Sequence, residues 1–201
     1  DRPVLYYSLK AFEDSAVDEI VLVVGKGEEK FCRKEIVDKY GISKVKAIVE
    51  GGKERYHSVF EGLKQTSDAD YVLIHDGARP FVNQDIIRRC MQEVQKYQAC
   101  VVGMPVKDTI KIADEEGYAK QTPDRKNVWM IQTPQTFSYA LIYEAYEEML
   151  KTEDTAITDD AMVLERIKGK KSKLIEGSYR NIKITTPEDL LIANVYLQHP
   201  E

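Results

Sequence analysis

Apolar runs typical of β-strands alternate with helix-like segments along the first half of the chain. Four runs predict strands, at Ile20–Val24, Val45–Glu50, Tyr71–Asp76 and Ala99–Pro105. Helical patterns lie between them, at about Glu28–Tyr40, Arg55–Gln65 and Gln84–Tyr97. The strand runs are nearly continuous in apolar residues, as in strands that are covered on both faces. The sequence therefore predicts an α/β fold with a mainly parallel sheet and flanking helices.

The pattern changes after Pro105, where we predict a short polar hairpin. Thr109–Ile112 alternates polar and apolar residues, residues 115–117 can turn the chain, and Tyr118–Thr122 can return antiparallel. This hairpin is too polar for a core, so we interpret residues 107–127 as a β-arm that leaves the domain. Two interpretations stay open here: an arm that contacts a partner subunit, and a solvated surface hairpin.

The remaining chain predicts further strands and helices of the same domain. In order, these are a strand at Val128–Gln132, helices at about Tyr139–Lys151 and Asp159–Ile167, and a strand pair at Lys173–Glu176 and Asn181–Thr185. A last helix begins after Thr186, with Pro187 at its first position and two acids in its first turn. We expect one domain over residues 1–201.

Composition limits the classes of protein that fit this pattern. The 201 residues are 43% hydrophobic and 31% charged with a net charge of −5, which argues against a general nucleic-acid binder. No apolar run approaches the roughly 18 residues needed to cross a membrane. Cys32, Cys90 and Cys100 are isolated in the sequence, as expected for free thiols in a reducing compartment. We expect a cytoplasmic protein.

Polar clusters follow the predicted strands at their carboxyl ends, where open α/β sheets bind ligands. Gly51 and Gly52 join a strand to a helix that carries Arg55 and Ser58 in its opening turns. Paired glycines let a ligand approach the backbone and can offer N–H groups to a base edge or a phosphate. On their own, the two glycines are explained better by an ordinary strand-to-helix turn.

A second cluster, H-D-G-A-R-P at residues 75–80, follows the apolar run that begins at Tyr71. Asp76 and Arg79 are close enough in sequence to pair with each other. Gly77 and Ala78 leave room above the strand end, so Asp76 could instead orient a hydroxyl and Arg79 could clamp a phosphate. We expect His75 to be a hydrogen-bonded structural residue and not a catalyst.

Four other positions could complete a site: Thr133, Thr158, Lys183 and, in the arm, Arg125. A lysine on an inner strand needs a partner such as a phosphate, because burying it unpaired is costly. Thr158 fits a helix N-cap as well as a ligand, and Arg125 fits a solvated side chain unless the arm delivers it to a second subunit. The sequence shows no Ser/His/Asp order, zinc spacing or Walker loop. Cations, hydroxyls and one acid suit transfer of a phosphoryl-type group.

Five motifs point to a particular family more specifically than the spacing of polar residues does. They are G-G-K-E-R-Y-H-S-V, I-H-D-G-A-R-P-F-V, T-P-Q-T-F, I-T-D-D-A and N-I-K-I-T-T-P-E-D-L. In this order they resemble the 2-C-methyl-D-erythritol 4-phosphate cytidylyltransferase family, from Pro3 to Leu197. The resemblance implies a Rossmann-like nucleotidyltransferase fold with a protruding β-arm and a homodimer formed through it. It also implies an enzyme that joins CTP to methylerythritol phosphate with Mg²⁺ and releases pyrophosphate, in the non-mevalonate route to isoprenoids.

The resemblance assigns roles to individual residues. On the nucleotide side it places Gly51, Gly52, Ser58, Asp76, Gly77 and Ala78. On the acceptor side it places Asp76, Arg79, Thr133, Thr158, Lys183 and, donated across the dimer, Arg125. The implied mechanism is in-line attack by an acceptor phosphate oxygen on the α-phosphorus of CTP, with Lys183 and Arg125 as catalytic cations.

Two departures and two alternatives accompany the resemblance. The family opens with a strand and a glycine-rich loop that carries an Arg and a Lys, and we expect such a segment before Asp1 in the full-length protein. Lys53 stands where some members carry an acid near the base. A ribitol 5-phosphate cytidylyltransferase shares the fold and CTP, although relatives of that kind tend to have a bulkier residue than Ala78. A non-catalytic nucleotide-binding module is the second alternative.

Overall fold

The computed structural model describes residues 2–152 and 156–199, so the predicted domain of residues 1–201 extends beyond the described residues. The helices are α1 Val4–Glu13, α2 Glu29–Cys32, α3 Arg55–Leu63, α4 Gln84–Tyr97, α5 Tyr139–Met149, α6 Asp160–Lys168 and α7 Pro187–Gln198. The strands are β1 Ile20–Val24, β2 Val45–Glu50, β3 Tyr71–Ile74, β4 Ala99–Pro105, β5 Ile112–Ala113, β6 Ala119–Gln121, β7 Trp129–Ser138 and β8 Lys173–Glu176. A π-helical turn, Arg33–Asp38, continues α2, and a 3₁₀ turn, Arg125–Asn127, precedes β7.

The strands confirm the predicted α/β fold and its mainly parallel sheet. β1 and β2 pair in parallel, and the larger sheet has the order β3-β7-β4-β8. β7 runs antiparallel to both β3 and β4, whereas β4 and β8 are parallel. The antiparallel direction of β7 arises because the chain enters it from the arm and not through a helical crossover.

One predicted element is wrong. Residues 181–185 do not form the strand that was expected to pair with β8, which instead pairs with β4. The segment lies against the middle of β7, where the buried Asn181 amide donates to the backbone oxygen of Thr133 at 2.9 Å. The Ile184 N–H donates to the Ala78 oxygen at 2.8 Å. These bonds replace a strand ladder and carry Lys183 to the end of β3.

Successive side chains of β4 point alternately into two apolar layers, one on each face of the sheet. Val101 packs on the side of α5 and α6 with Phe137, Tyr146 and other buried residues. Cys100 and Val102 face the opposite side, where they contact the apolar face of α4. Cys32, Cys90 and Cys100 are all free and buried, as expected for unpaired thiols.

The predicted arm is present. β5 and β6 form an antiparallel hairpin, closed by a turn in which the Gly117 N–H donates to the Asp114 oxygen at 3.2 Å. Gly117 has a φ of +87°, a backbone conformation that favours glycine. Every residue of the two strands is exposed. The arm therefore adds nothing to the core and projects from the domain.

A cavity of about 740 Å³ separates β1 from β3. Its apolar lining comes mainly from Val21 and Val23 of β1, Val72 and Ile74 of β3, and neighbouring residues of α1 and α3. Across the described ranges, no helix is long and apolar enough to cross a membrane.

Candidate active site

The Asp76 carboxylate lies at the carboxyl end of β3 among three cations. Its Oδ2 is 3.1 Å from Lys183 Nζ and 3.6 Å from Arg79 Nε, and its Oδ1 is 3.4 Å from Arg55 Nε. Burial alone would raise the pKa of Asp76, but the positive charges of Arg55 and Lys183 outweigh it and lower this pKa. Asp76 is therefore ionised at neutral pH and tied to all three cations.

Arg55, the first residue of α3, links Asp76 to a second buried carboxylate. Its two terminal nitrogens each donate to Asp160 at 2.8 Å in a bidentate pair. Asp160 is fully buried and also accepts a 2.6 Å bond from the Tyr146 hydroxyl. Burial would lower the pKa of Arg55, but the hydrogen bonds and charge of Asp160 raise it well above its ordinary value. This network fixes the start of α3 against the start of α6.

Arg79 occupies the turn after β3. Its Nη1 donates to the Asn181 oxygen at 2.8 Å, and its backbone N–H donates to the Asp76 oxygen at 2.9 Å. Arg79 Nε is buried without a hydrogen-bond partner among the described residues. Lys183 is more accessible, with 43% of its side chain exposed. Lys183 is thus the cation of this cluster that an incoming anion reaches most easily.

The hydroxyl of Thr133, on β7, lies beside the carboxyl end of β3. It accepts the Asp76 N–H at 3.1 Å and is 2.9 Å from His75 Nδ1. His75 Nε2 in turn is 3.1 Å from the Arg79 oxygen. The structure therefore brings together four of the predicted site residues: Asp76, Arg79, Thr133 and Lys183.

Gly51 and Gly52 form a tight turn into α3 that only glycine fits. A Cβ on Gly51 would lie 2.6 Å from Ser58 Oγ, and a Cβ on Gly52 would lie 2.3 Å from the Cβ of His57. The Gly51 N–H donates to the Val24 oxygen at 2.8 Å, and the Gly52 N–H donates to Ser58 Oγ at 3.1 Å. Both N–H groups are used inside the protein, so Ser58 shapes the turn itself.

Comparison with known proteins agrees with this geometry. The family model described as IspD, 2-C-methyl-D-erythritol 4-phosphate cytidylyltransferase, matches residues 1–199. The chain belongs to this family. Relatives that carry the same name include one from Lachnospira eligens, 53% identical over 98% of this chain and 87% of the relative. Another, from Lachnoclostridium phytofermentans, is 49% identical over 98% of this chain and 85% of the relative.

Solved structures of the family have the same fold. The structure titled 4-diphosphocytidyl-2C-methyl-D-erythritol synthase from Anaerococcus prevotii has a TM-score of 0.90 and 39% identity, covering 98% of this chain and 87% of that one. The 2-C-methyl-D-erythritol 4-phosphate cytidylyltransferase from Thermus thermophilus has a TM-score of 0.81 and 32% identity, covering 98% and 90%. The α/β nucleotidyltransferase fold predicted from the five motifs is thereby confirmed.

Other site residues expected from the family resemblance lie around the Asp76 cluster or at the arm. Gly77 and Ala78 form the turn between Asp76 and Arg79, and the Gly77 oxygen accepts a 2.8 Å bond from Ser8 Oγ of α1. Thr158 is exposed just before α6, whose N-cap is Asp159. Arg125 is exposed at the foot of the arm and donates to the Lys107 oxygen at 2.8 Å. The roles of all these site residues, Thr158 and Arg125 included, remain predictions.

Sequence reasoning missed several residues that hold the cluster in place. Arg55, Asp160 and Asn181 all lie inside the family motifs, but nothing in their spacing indicates that they contact each other or Asp76. The signal available was weak: a charged or amide side chain beside apolar neighbours, which suggests a buried polar contact.

The described residues do not offer a ready-made magnesium site. They contain no group of three or more His, Cys, Asp or Glu side chains that could hold a metal ion. The acid at the centre of the cluster, Asp76, is already paired with three cations, which would repel a divalent ion. We therefore assign no residue of the described chain to Mg²⁺.

Proposed function

We propose that this protein transfers a cytidylyl group from CTP to 2-C-methyl-D-erythritol 4-phosphate and releases pyrophosphate. The observation that carries this proposal is the Asp76 cluster. Three cations and two carboxylates share one strand end, which leaves the cluster with an excess positive charge. A carboxylate that can accept from hydroxyls, beside an accessible Lys183, is complementary to a polyol that carries a phosphate.

The proposed reaction is an in-line displacement at the α-phosphorus of CTP. An oxygen of the acceptor's phosphate forms a new bond to this phosphorus, and the bond between the α-phosphorus and the bridging oxygen to the β-phosphorus breaks. The electron pair of that bond leaves with pyrophosphate. Lys183 holds the attacking phosphate and offsets its charge, while Asp76 orients a sugar or polyol hydroxyl. The Gly51–Gly52 turn and Ser58 border the cytosine and ribose.

Magnesium is part of the same proposal. We propose that Mg²⁺ is required and arrives with the phosphates of CTP, as magnesium usually does in nucleotide enzymes. Chelation by EDTA should then abolish turnover, and excess Mg²⁺ should restore it. Mg²⁺ without nucleotide should leave the melting temperature unchanged, and a large rise would instead indicate a protein site.

We further propose a homodimer in which Arg125 of the partner subunit reaches the acceptor phosphate. The support is an arm with exposed apolar side chains, including Ile112 at 46% and Tyr118 at 74% exposure. Sedimentation of wild type and of a protein in which Ile112 and Tyr118 are changed to Ser tests this. Only the wild type should sediment as a dimer.

The free, buried cysteines support a reducing, cytoplasmic location, which cell fractionation can check.

The decisive experiment for the acceptor uses full-length protein with CTP and Mg²⁺. Pyrophosphate release is measured with methylerythritol phosphate and, separately, with ribitol 5-phosphate. We expect kcat/KM to favour methylerythritol phosphate. Preference for ribitol 5-phosphate would overturn the proposed acceptor. Binding of CTP with no pyrophosphate release from either acceptor would support a non-catalytic nucleotide-binding module.

A further inference from the structure

The imidazole of His75 touches two of the predicted ligand residues at once. Its Nδ1 is 2.9 Å from Thr133 Oγ1, and its Nε2 is 3.1 Å from the backbone oxygen of Arg79. The ring also packs against Phe12 of α1, with 5.0 Å between the ring centroids. No step of the proposed reaction uses this side chain, although it lies between Asp76 and the strand that carries Thr133.

The partners of His75 determine where its protons lie. A carbonyl oxygen can only accept, so the contact with Arg79 requires the proton on Nε2. In the neutral ring Nδ1 is then an acceptor, and the Thr133 hydroxyl must donate to it. The same hydroxyl oxygen accepts the Asp76 N–H at 3.1 Å. The one proton of Thr133 is therefore committed, and a single lone pair remains for a ligand.

From these contacts we propose that His75 is a positioning residue. It fixes the Thr133 hydroxyl so that this oxygen accepts from a hydroxyl of the bound polyol, and it holds the Arg79 turn beside it. Thr133 then contacts a hydroxyl and not an anionic phosphate oxygen, which needs a donor. The identity of the acceptor in this inference rests on the proposed function. The arrangement of protons follows from the contacts of His75 and Thr133 alone.

The charge state of His75 is consistent with this arrangement. Burial lowers its pKa to about 4, with the nearby Arg79 acting in the same direction and Asp76 opposing it. The ring is then neutral at physiological pH and has no second proton to give to Thr133. The groups that face it are Phe12 from α1, Thr133 from β7, and Asp76 and Arg79 from its own turn.

Two substitutions separate the two contacts of the ring. In His75→Asn the amide group can occupy the Nδ1 position, which keeps an acceptor for Thr133 but loses the Arg79 contact. In His75→Gln the amide reaches the Nε2 position, which keeps a donor for Arg79 but loses the acceptor for Thr133. His199→Asn, at an exposed position after α7, is the matched control.

We expect His75→Gln to raise the KM for the polyol phosphate about tenfold, the effect of one lost hydrogen bond, with the KM for CTP within about twofold of wild type. The double variant His75→Gln, Thr133→Val should have the same KM for the polyol phosphate as Thr133→Val alone, because His75 acts through Thr133. His75→Asn should have a smaller effect on this KM, and His199→Asn none. Unchanged KM values in His75→Gln, or fully additive effects with Thr133→Val, would overturn the proposal.

Nitrogen-15 NMR of labelled histidine gives a test that needs no activity. The chain contains three histidines, and the resonances of His57 and His199 are those that His57→Asn and His199→Asn lack, which leaves those of His75 in an unaltered site. We expect wild-type His75 at pH 6 to be neutral and protonated on Nε2. A ring protonated on Nδ1, or on both nitrogens, would refute the inference even if the variants fail to fold. If wild type shows the expected tautomer but does not use methylerythritol phosphate, the proposed function fails and the positioning geometry stands.

Discussion

Mild acid should destabilise this protein mainly through His75. The ordinary pKa of histidine is 6.5, and burial of the ring lowers it to about 4 in the folded protein. Between these two values the unfolded chain binds a proton that the folded protein does not. Protonation therefore favours unfolding, and stability falls as the pH falls from 6.5 towards 4.

The magnitude follows from the size of this shift. Each pKa unit corresponds to ~1.36 kcal/mol, so the whole shift is worth about 3 kcal/mol. By pH 5 roughly 2 kcal/mol of it is already lost, since the native ring is still largely neutral there. The carboxylate of Asp76, whose pKa is held below the ordinary 3.8, titrates outside this window.

Urea denaturation of the full-length protein at pH 7.5 and pH 5.0 measures the effect. We compare wild type with His75→Gln, in which the amide does not titrate. The wild type should lose about 2 kcal/mol more than the variant between these two pH values. Equal losses in the two proteins would show that the folded protein takes up this proton as readily as the unfolded chain does, contrary to the lowered pKa of His75.

Three further substitutions test other parts of the site. Asp160→Asn should cost about 3 kcal/mol in urea denaturation, because it leaves the Arg55 charge without its carboxylate; Asp159→Asn retains an N-cap and should cost far less, and equal losses would count against the buried pair. Gly52→Ala should raise the KM for CTP several-fold, because the new methyl group collides with the Cβ of His57; an unchanged KM would show that the turn adapts. Arg125→Ala should impair use of the polyol phosphate and leave the Kd for CTP intact, and an equal loss of CTP affinity would contradict its assignment to the acceptor.

Much of the fold was predictable because the relevant signals are local. The apolar runs at Ile20–Val24 and Ala99–Pro105 are strands as predicted, and Thr186 caps α7 through the Asp189 N–H. The direction of β7 was not predictable from its own residues. Strand direction depends on the connection that enters the strand, here the arm, and an apolar run reads the same in either direction.

The side-chain contacts of the site were predictable only in part. Family motifs identified Asp76 and Lys183, and in the structure Lys183 Nζ lies 3.1 Å from Asp76 Oδ2. They did not reveal that Arg55 pairs with Asp160, since these residues are 105 positions apart in sequence. Nor could they show that Asn181 replaces a strand ladder with side-chain bonds. Such contacts depend on how distant segments meet, and single-sequence patterns do not contain that information.

The committed proton of Thr133 has a consequence for inhibitor chemistry. A compound that places a carbonyl, sulfonyl or phosphonate oxygen against this hydroxyl would set two acceptors face to face and lose affinity. A hydroxyl or amine N–H at that point would donate to the remaining lone pair of Thr133 Oγ1, whose direction is set by the contacts with the Asp76 N–H and His75 Nδ1. The anionic group of such a compound belongs instead beside the half-exposed Lys183.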